Sequence, residues 1–214
     1  MIAPLLACDR SEKIAPPARP SITPARAGQG ELFELTRFDP SIRLDIRYAT
    51  ANNFTGRILY DQPRAFLVQP AAQALARAHK AAAAEGYGLT IFDAYRPWRI
   101  TKALWDATPP GQQRNYVANP KKGSKHNRGC AVDLSLHRLD TGALVEMPSG
   151  YDEFTERAHR DFMAASPEAI ANRARLEGWM EAEGFRGISN EWWHFDFNGW
   201  EDFPILDIAF DEIG

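Results

Sequence analysis

Two short segments that lie far apart in the chain constrain its fold more than any other feature. The first runs from Gly123 to Asp133 and contains His126, and the second is Glu191-Trp-Trp-His194. Two histidines and a carboxylate, with a further carboxylate close by, are the parts of a catalytic zinc site: three protein ligands and a general base. The fold is therefore expected to bring these two segments together around one ion.

The spacing within the first segment predicts a strand preceded by a turn. From Cys130 to His137 apolar and polar residues alternate, which places Asp133 on the polar face of the strand. His126 precedes this strand in a loop where Gly129 permits a sharp turn, so its side chain can fold back over the start of the strand.

The second segment must contain a bend if Glu191 and His194 are to face the same ion. A strand from Trp192 to Phe197 is predicted, and Glu191 lies three positions before His194. Since side chains alternate along a strand, a regular strand would point Glu191 and His194 to opposite faces. Ser189 and Asn190 favour a bend at the start of the strand, which would turn Glu191 towards the metal.

These motifs resemble those of the zinc D-alanyl-D-alanine dipeptidases, within the wider D,D-carboxypeptidase and hedgehog-like fold. The pattern Ser-x-His-x-x-Gly-x-Ala-x-Asp is followed much later by Glu-x-x-His. Further matches are Asn53-Phe-Thr-Gly56, Asp93-Ala-Tyr-Arg-Pro97 and Arg138-Leu-Asp-Thr-Gly142. The likeness covers the chain from about Tyr48 onward, and several motifs in the same order make it specific.

The resemblance implies one zinc ion per chain, held by His126, Asp133 and His194. It implies that Glu191 accepts a proton from the attacking water, and that Arg96 stabilises the oxyanion of the transition state. The implied activity is that of a zinc metallopeptidase that hydrolyses a free D,D-dipeptide, with D-alanyl-D-alanine as the leading candidate. That role would belong to cell-wall precursor turnover or dipeptide recycling.

The resemblance also implies a set of substrate contacts. Ser124 corresponds to a substrate-binding residue, and Tyr48 and Asp152 match positions that hold the ammonium end of the dipeptide. The negative charge of Asp152 suits that role. Tyr60 is a further candidate, at the carboxylate end.

Other functions remain open on the residues alone. A D,D-carboxypeptidase acting on longer peptidoglycan peptides is one, and a non-catalytic zinc-containing binding module of the same fold is another, although the presence of both Glu191 and Arg96 argues against the latter. Two histidines and one carboxylate also hold iron in non-haem oxygenases. Those sites usually have their first two ligands two residues apart on one strand, and they need no acid at the position of Glu191.

Composition narrows the class of partner. The 214 residues, 44% of them hydrophobic, are enough for one domain with one core. A net charge of -3 gives no basic surface for nucleic acid or an anionic membrane. No apolar run is long enough to span a membrane. The ligand is therefore expected to be small. The resemblance implies that it is a zwitterionic dipeptide, and the oligomeric state is left open.

The chain is expected to divide into a tail, residues 1–30, and a zinc dipeptidase domain, residues 31–214. The tail is rich in Pro, Ala and Arg, a composition that cannot build a core. Leu5-Leu-Ala-Cys8 is similar to the end of a lipoprotein signal but lacks the preceding basic and apolar regions. The sequence as given favours the cytoplasm, and a start upstream of Cys8 would favour the periplasm or a lipid anchor.

Helices and short strands without regular βαβ alternation predict an α+β fold, a single domain whose small antiparallel sheet carries the zinc site and is flanked by helices. One or two strands are predicted within Leu32–Tyr48, and another at Leu89–Ala94. Helices are predicted at Ala71–Glu85, Trp98–Asp106, Tyr151–Ala164 and Pro167–Glu183. His79 and His159 are expected on solvated helix faces, outside the metal site.

Overall fold

The computed structural model describes residues 30–111 and 116–214. The predicted tail therefore lies outside the described residues except for Gly30. The seven strands are β1 (Leu32–Glu34), β2 (Arg43–Leu44), β3 (Phe66–Val68), β4 (Tyr87–Asp93), β5 (Ala131–Arg138), β6 (Phe185–Ile188) and β7 (Glu191–Phe197). The described helices are α1 (Leu35–Phe38), α2 (Gln69–Ala84), α3 (Trp98–Ala107) and α4 (Pro167–Ala182).

The two long helices lie within two residues of their predicted bounds. Alanine dominates α2, and Gly86 follows it with a positive φ of 85°, a conformation that glycine adopts without a steric penalty. In α4, the Ser166 hydroxyl accepts a hydrogen bond from the backbone N–H of Ala169, and Pro167 occupies the first helical position. Both helices bury one face against the sheet and the core.

The central sheet has five strands in the order β2-β4-β5-β7-β6. All neighbours are antiparallel except the short edge strand β2, which pairs with β4 in parallel. Strands β1 and β3 form a separate two-stranded sheet. The predicted α+β fold class is confirmed.

The register of the central sheet aligns the polar residues of the two motifs. Asp133 on β5 lies opposite His194 on β7 and opposite Asp93 on β4. The β4–β5 pairing shifts register between Ile91 and Asp93, just before the segment that carries Arg96. Three adjacent strands thus present their functional side chains at one place.

Three expectations from the sequence are wrong. The segment predicted as a helix at Tyr151–Ala164 has only a 3-10 turn at Glu156–Ala158, because Asp152 has φ 57° and cannot continue a right-handed helix. Leu35–Phe38 is a helical turn, where strands were expected. His79 is 2% exposed rather than solvated, and it bonds to the Ser41 hydroxyl and the Leu89 backbone N–H.

Within the described part of the chain, every helix is too short or too polar to cross a membrane.

Candidate active site

Three side chains from the two motifs meet in the core of the site. His126 Nε2 lies 3.2 Å from His194 Nδ1 and 3.4 Å from Asp133 Oδ1, and the latter two atoms are 2.9 Å apart. All three residues are buried, and their ligand atoms lie within 4.8 Å of one another. Two imidazole nitrogens and a carboxylate oxygen at this spacing suit a tetrahedral metal ion with one position left open.

The second nitrogen of each imidazole is already bonded, which fixes the tautomer that a metal ligand needs. His126 Nδ1 lies 2.7 Å from the carbonyl oxygen of Ala94, so Nδ1 carries the proton and Nε2 is free to coordinate. His194 Nε2 lies 2.8 Å from Asp196 Oδ1, which leaves Nδ1 to coordinate, and Lys125 in turn holds Asp196 at 3.0 Å. Such outer contacts orient the ligands of metal sites.

The pKa values of Asp133 and His194 indicate that their surroundings favour positive charge. Burial raises the pKa of Asp133, but His126 and His194 outweigh burial and hold that pKa well below its usual range. Burial lowers the pKa of His194, but hydrogen bonds to Asp133 and Asp196 outweigh it and raise the pKa to about 10. A bound metal ion would supply the positive charge that this arrangement favours.

The outer oxygen of Asp133 is held by a residue that the sequence did not single out. Tyr151 donates a hydrogen bond from its hydroxyl to Asp133 Oδ2 at 3.0 Å, and Arg96 Nη2 lies 3.8 Å from the same oxygen. The sequence identifies the neighbouring Asp152 as a candidate. It places Tyr151 in a predicted helix, from which a contact with Asp133 could not be foreseen.

Glu191 lies beside the ligand set at the start of β7. Its Oε2 is 4.0 Å from His194 Nδ1, and its side chain remains 14% exposed. The bend expected before it is confirmed, because residues 189–190 form a turn and the β6–β7 pairing shifts register at Glu191. Burial raises the pKa of Glu191 to about 7, with His194 acting in the opposite direction.

Arg96 is fixed by a buried carboxylate. Its Nε and Nη2 donate to Asp93 Oδ2 at 2.9 and 2.7 Å. Tyr60 donates from its hydroxyl to the other oxygen, Asp93 Oδ1, at 2.7 Å. Asp93 is the first residue of the Asp-Ala-Tyr-Arg-Pro motif, three positions before Arg96, and this spacing is the sequence feature that could have predicted its contact with Arg96.

His126, Asp133, His194, Glu191 and Arg96 border a cavity of about 330 Å³. Tyr48 and Asp152 meet in its wall, where the Tyr48 hydroxyl donates to Asp152 Oδ2 at 3.1 Å. Burial raises the pKa of Asp152 well above its usual range, and the nearby Asp133 and Glu191 add to the effect. Aromatic side chains form part of the wall: Phe54 and Phe154 lie 5.2 Å apart between ring centroids, and Tyr116 stacks on Phe154 at 4.6 Å.

Comparison with known proteins identifies the family. Residues 29–207 match the family model of peptidase M15, D-Ala-D-Ala dipeptidase. The chain belongs to this family. It is 40% identical to the D-alanyl-D-alanine dipeptidase of Escherichia coli (strain K12) over 176 residues, which cover 82% of this chain and 89% of the relative. It is 37% identical to that of Enterococcus faecium, across 77% of this chain and 93% of the relative.

Among solved structures, the LdcB LD-carboxypeptidase aligns with 92% of this chain and 80% of its own length. The TM-score is 0.48 and the sequence identity is 16%.

In this member of the D-Ala-D-Ala dipeptidase family, nearly all of the predicted site residues reach one cavity. Its lining includes His126, Asp133, His194, Glu191, Arg96, Ser124, Tyr48 and Asp152. Tyr60 is the exception, because it is 4% exposed and its hydroxyl donates a hydrogen bond to Asp93, the residue that holds Arg96. The expectation that Tyr60 contacts the carboxylate end of a substrate therefore has no support in the geometry.

Proposed function

We propose that this protein is a zinc-dependent dipeptidase that hydrolyses D-alanyl-D-alanine. The observation that carries the proposal is the buried set of His126, Asp133 and His194, with Glu191 beside it, in one small cavity. Both of the similar proteins described above are named D-alanyl-D-alanine dipeptidase, which supports the choice of substrate.

One zinc ion per chain fits the donor set. Two imidazoles with fixed tautomers and one carboxylate match the ligands and the coordination number of catalytic zinc, and their spacing leaves room for a fourth ligand. When bound, zinc would polarise the scissile carbonyl and lower the pKa of the attacking water.

Glu191 is the residue suited to move the proton. It accepts a proton from the attacking water as the water oxygen bonds to the carbonyl carbon, and it donates that proton to the amine nitrogen as the C–N bond breaks. A pKa of about 7 lets a carboxyl group both accept and release a proton near neutral pH. Its partly exposed side chain faces the cavity, where water can reach it.

Arg96 supplies a fixed positive charge for the oxyanion. Its guanidinium is anchored by two hydrogen bonds to Asp93 and lies 5.2 Å above the ring of Tyr48. A donor that is already in place when charge develops stabilises the transition state without reorganisation.

Asp152 and Tyr48 are suited to the ammonium end of a free dipeptide. The raised pKa of Asp152 favours its neutral form, and an ammonium group placed beside it would favour the charged form. Ser124, which also lines the cavity, is the candidate for the other end of the substrate. A peptide with a blocked or extended amino terminus would bury Asp152 without its partner.

The test compares D-Ala-D-Ala, L-Ala-L-Ala and N-acetyl-D-Ala-D-Ala as substrates, with and without a chelator, by following amine release. We expect hydrolysis of D-Ala-D-Ala alone, its loss on chelation and its recovery when zinc is added back. Preference for the acetylated peptide would move the assignment to a carboxypeptidase. A zinc-loaded protein that cleaves none of them would identify a binding module.

A further inference from the structure

The hairpin formed by β6 and β7 contains an irregularity at the position where the site needs one. Gly187 pairs with Phe195, but the next residue, Ile188, pairs with Glu191. Residues 192–194 of β7 therefore have no paired residue on β6, because Gly187 and Ile188 are adjacent in the chain. This extra length places Glu191 beside His194 although their odd spacing would separate them in a regular strand.

A guanidinium group occupies the gap that this irregularity leaves in the ladder. Arg160 Nη2 donates to the carbonyl oxygens of Trp192 and His194 at 3.2 and 2.9 Å, and its Nε donates to the carbonyl oxygen of Ile188 at 2.9 Å. The backbone N–H of Arg160 also donates to the carbonyl oxygen of Ser189 at 3.0 Å. One residue thus binds the hairpin on both sides of Glu191.

The surroundings of Arg160 are built to hold it there. Its Nη1 lies 3.2 Å from Glu177 Oε1 on α4, its Cζ lies 4.3 Å from the centre of the Phe195 ring, and its side chain is only 11% exposed. A Cβ atom on Gly187 would lie 2.0 Å from Arg160 Cζ, so only glycine leaves room for the guanidinium. Glycine is needed at 187 for space.

We infer that Arg160 is a positioning residue that holds Glu191 towards the metal ligands by bridging the β6–β7 irregularity. The inference rests on the proposed role of Glu191 as general base. Arg160 is not itself part of the cavity lining. It bonds to the backbone carbonyl groups of Ile188, Trp192 and His194, which set the path of the strand, and not to their side chains.

The test uses Arg160→Lys in the zinc-loaded enzyme, because lysine keeps the charge but cannot span carbonyls on both sides of Glu191. We expect kcat for D-Ala-D-Ala to fall about 10- to 100-fold, as is typical when an outer contact of a metal site is lost, with zinc retained and a smaller change in KM. The matched control is Arg64→Lys, since Arg64 also joins a carboxylate, Glu34, to the carbonyl groups of a remote segment. It should lower the melting temperature and leave kcat unchanged.

The deciding comparison repeats Arg160→Lys in a Glu191→Gln background. If Arg160 acts through Glu191, the second substitution adds no further loss of kcat. The same fold-loss in both backgrounds, or an equal loss in Arg64→Lys, would overturn the inference. Should Arg160→Lys fail to fold, Glu177→Gln removes the carboxylate 3.2 Å from Arg160 Nη1, and it should show a smaller loss of kcat with the same non-additivity.

The two proposals fail in different ways. A Glu191→Gln enzyme with normal turnover would refute the base role, and the positioning role with it. A slow Glu191→Gln enzyme together with a normal Arg160→Lys enzyme would refute the positioning role alone.

Discussion

At the scale of single residues, the site depends on polar groups that are fixed before a substrate arrives. Arg96 shows this most clearly, because Asp93 accepts two hydrogen bonds from its guanidinium and is itself fully buried. A planar guanidinium that is held in this way loses little freedom when an oxyanion forms beside it.

Arg96→Lys should therefore fail to support catalysis although it keeps the charge. We expect kcat to fall on the order of 10² to 10³, the usual cost of removing one such donor. Steady-state kinetics on the folded, zinc-loaded variant gives the result. Arg99→Lys is the matched control, because Arg99 is exposed and pairs with Asp207 away from the cavity, and its rate should be normal. A near-normal rate for Arg96→Lys would show that Arg96 has a structural role and does not stabilise the transition state.

Tyr60→Phe tests whether this tyrosine acts through Asp93 or on the substrate. The change removes one hydrogen bond to Asp93 Oδ1, which still accepts from the backbone N–H of Ala94. We expect a loss of kcat of about tenfold or less, since one net hydrogen bond amounts to about 1 kcal/mol, with KM unchanged. A rise in KM with kcat unchanged would instead place Tyr60 at the substrate.

At the scale of elements, the turn that carries His126 depends on glycine. The 3-10 turn His126–Arg128 ends at Gly129, which has φ 64° and is joined to β5 by the single residue Cys130. A Cβ atom there would lie 2.6 Å from Leu32 Cδ2 and 3.1 Å from the backbone nitrogen of Val68. The turn is thus packed tightly against β1 and β3.

Gly129→Ala should combine backbone strain with this overlap. Strain at a left-handed residue costs about 1–2 kcal/mol, and overpacking typically adds about 1–3 kcal/mol. Gly142→Ala is the control, because Gly142 has φ 69° but nothing within 4 Å of its Cβ position. Thermal melts should show a larger loss for Gly129→Ala, accompanied by weaker zinc binding. Equal losses of stability in the two variants would mean that β1 and β3 adjust to the added methyl group without destabilising the fold.

At the scale of the whole molecule, the sequence predicts the elements that follow periodic patterns and misses those set by distant contacts. The helices α2, α3 and α4 and the strands β5 and β7 are confirmed, since their residues keep a regular period and have clear end signals. The loop that includes Tyr151 and Asp152 was predicted as a helix. Its conformation is set by bonds to Tyr48 and Asp133, which the local sequence does not reveal.

The same limit applies to the site. Its ligand motifs stand out because their chemistry is specific, and the structure brings those residues together. Asp93, Asp196, Tyr151 and Arg160 support the proposed ligands and Glu191 from outside, and residues of these types are common on any protein surface. The register of β4, β5 and β7 brings Asp93 and Asp196 to the site, and long-range hydrogen bonds bring Tyr151 and Arg160 there.

His79 makes stability depend on pH. Burial lowers its pKa, with Asp39 acting in the opposite direction, so the unfolded chain binds a proton more readily than the folded one. Its contribution to stability is therefore present above the unfolded pKa of about 6.5 and is lost as pH falls through the folded value. Chemical denaturation from pH 8 to 5 should show the stability advantage over His79→Gln shrinking below about pH 6.5. An advantage that is independent of pH would contradict a depressed pKa.

Glu191→Gln tests the central claim most directly, because it separates catalysis from metal binding. We expect zinc to stay bound by His126, Asp133 and His194 while kcat for D-Ala-D-Ala falls about 10² to 10⁴-fold, the range of a general base. The melting temperature should not fall, since burial already disfavours the Glu191 carboxylate. Glu181→Gln, at an exposed carboxylate, is the control and should be normal in all three measurements. A folded, zinc-loaded Glu191→Gln enzyme with near-normal turnover would contradict the base role, and release of zinc would make Glu191 a ligand instead.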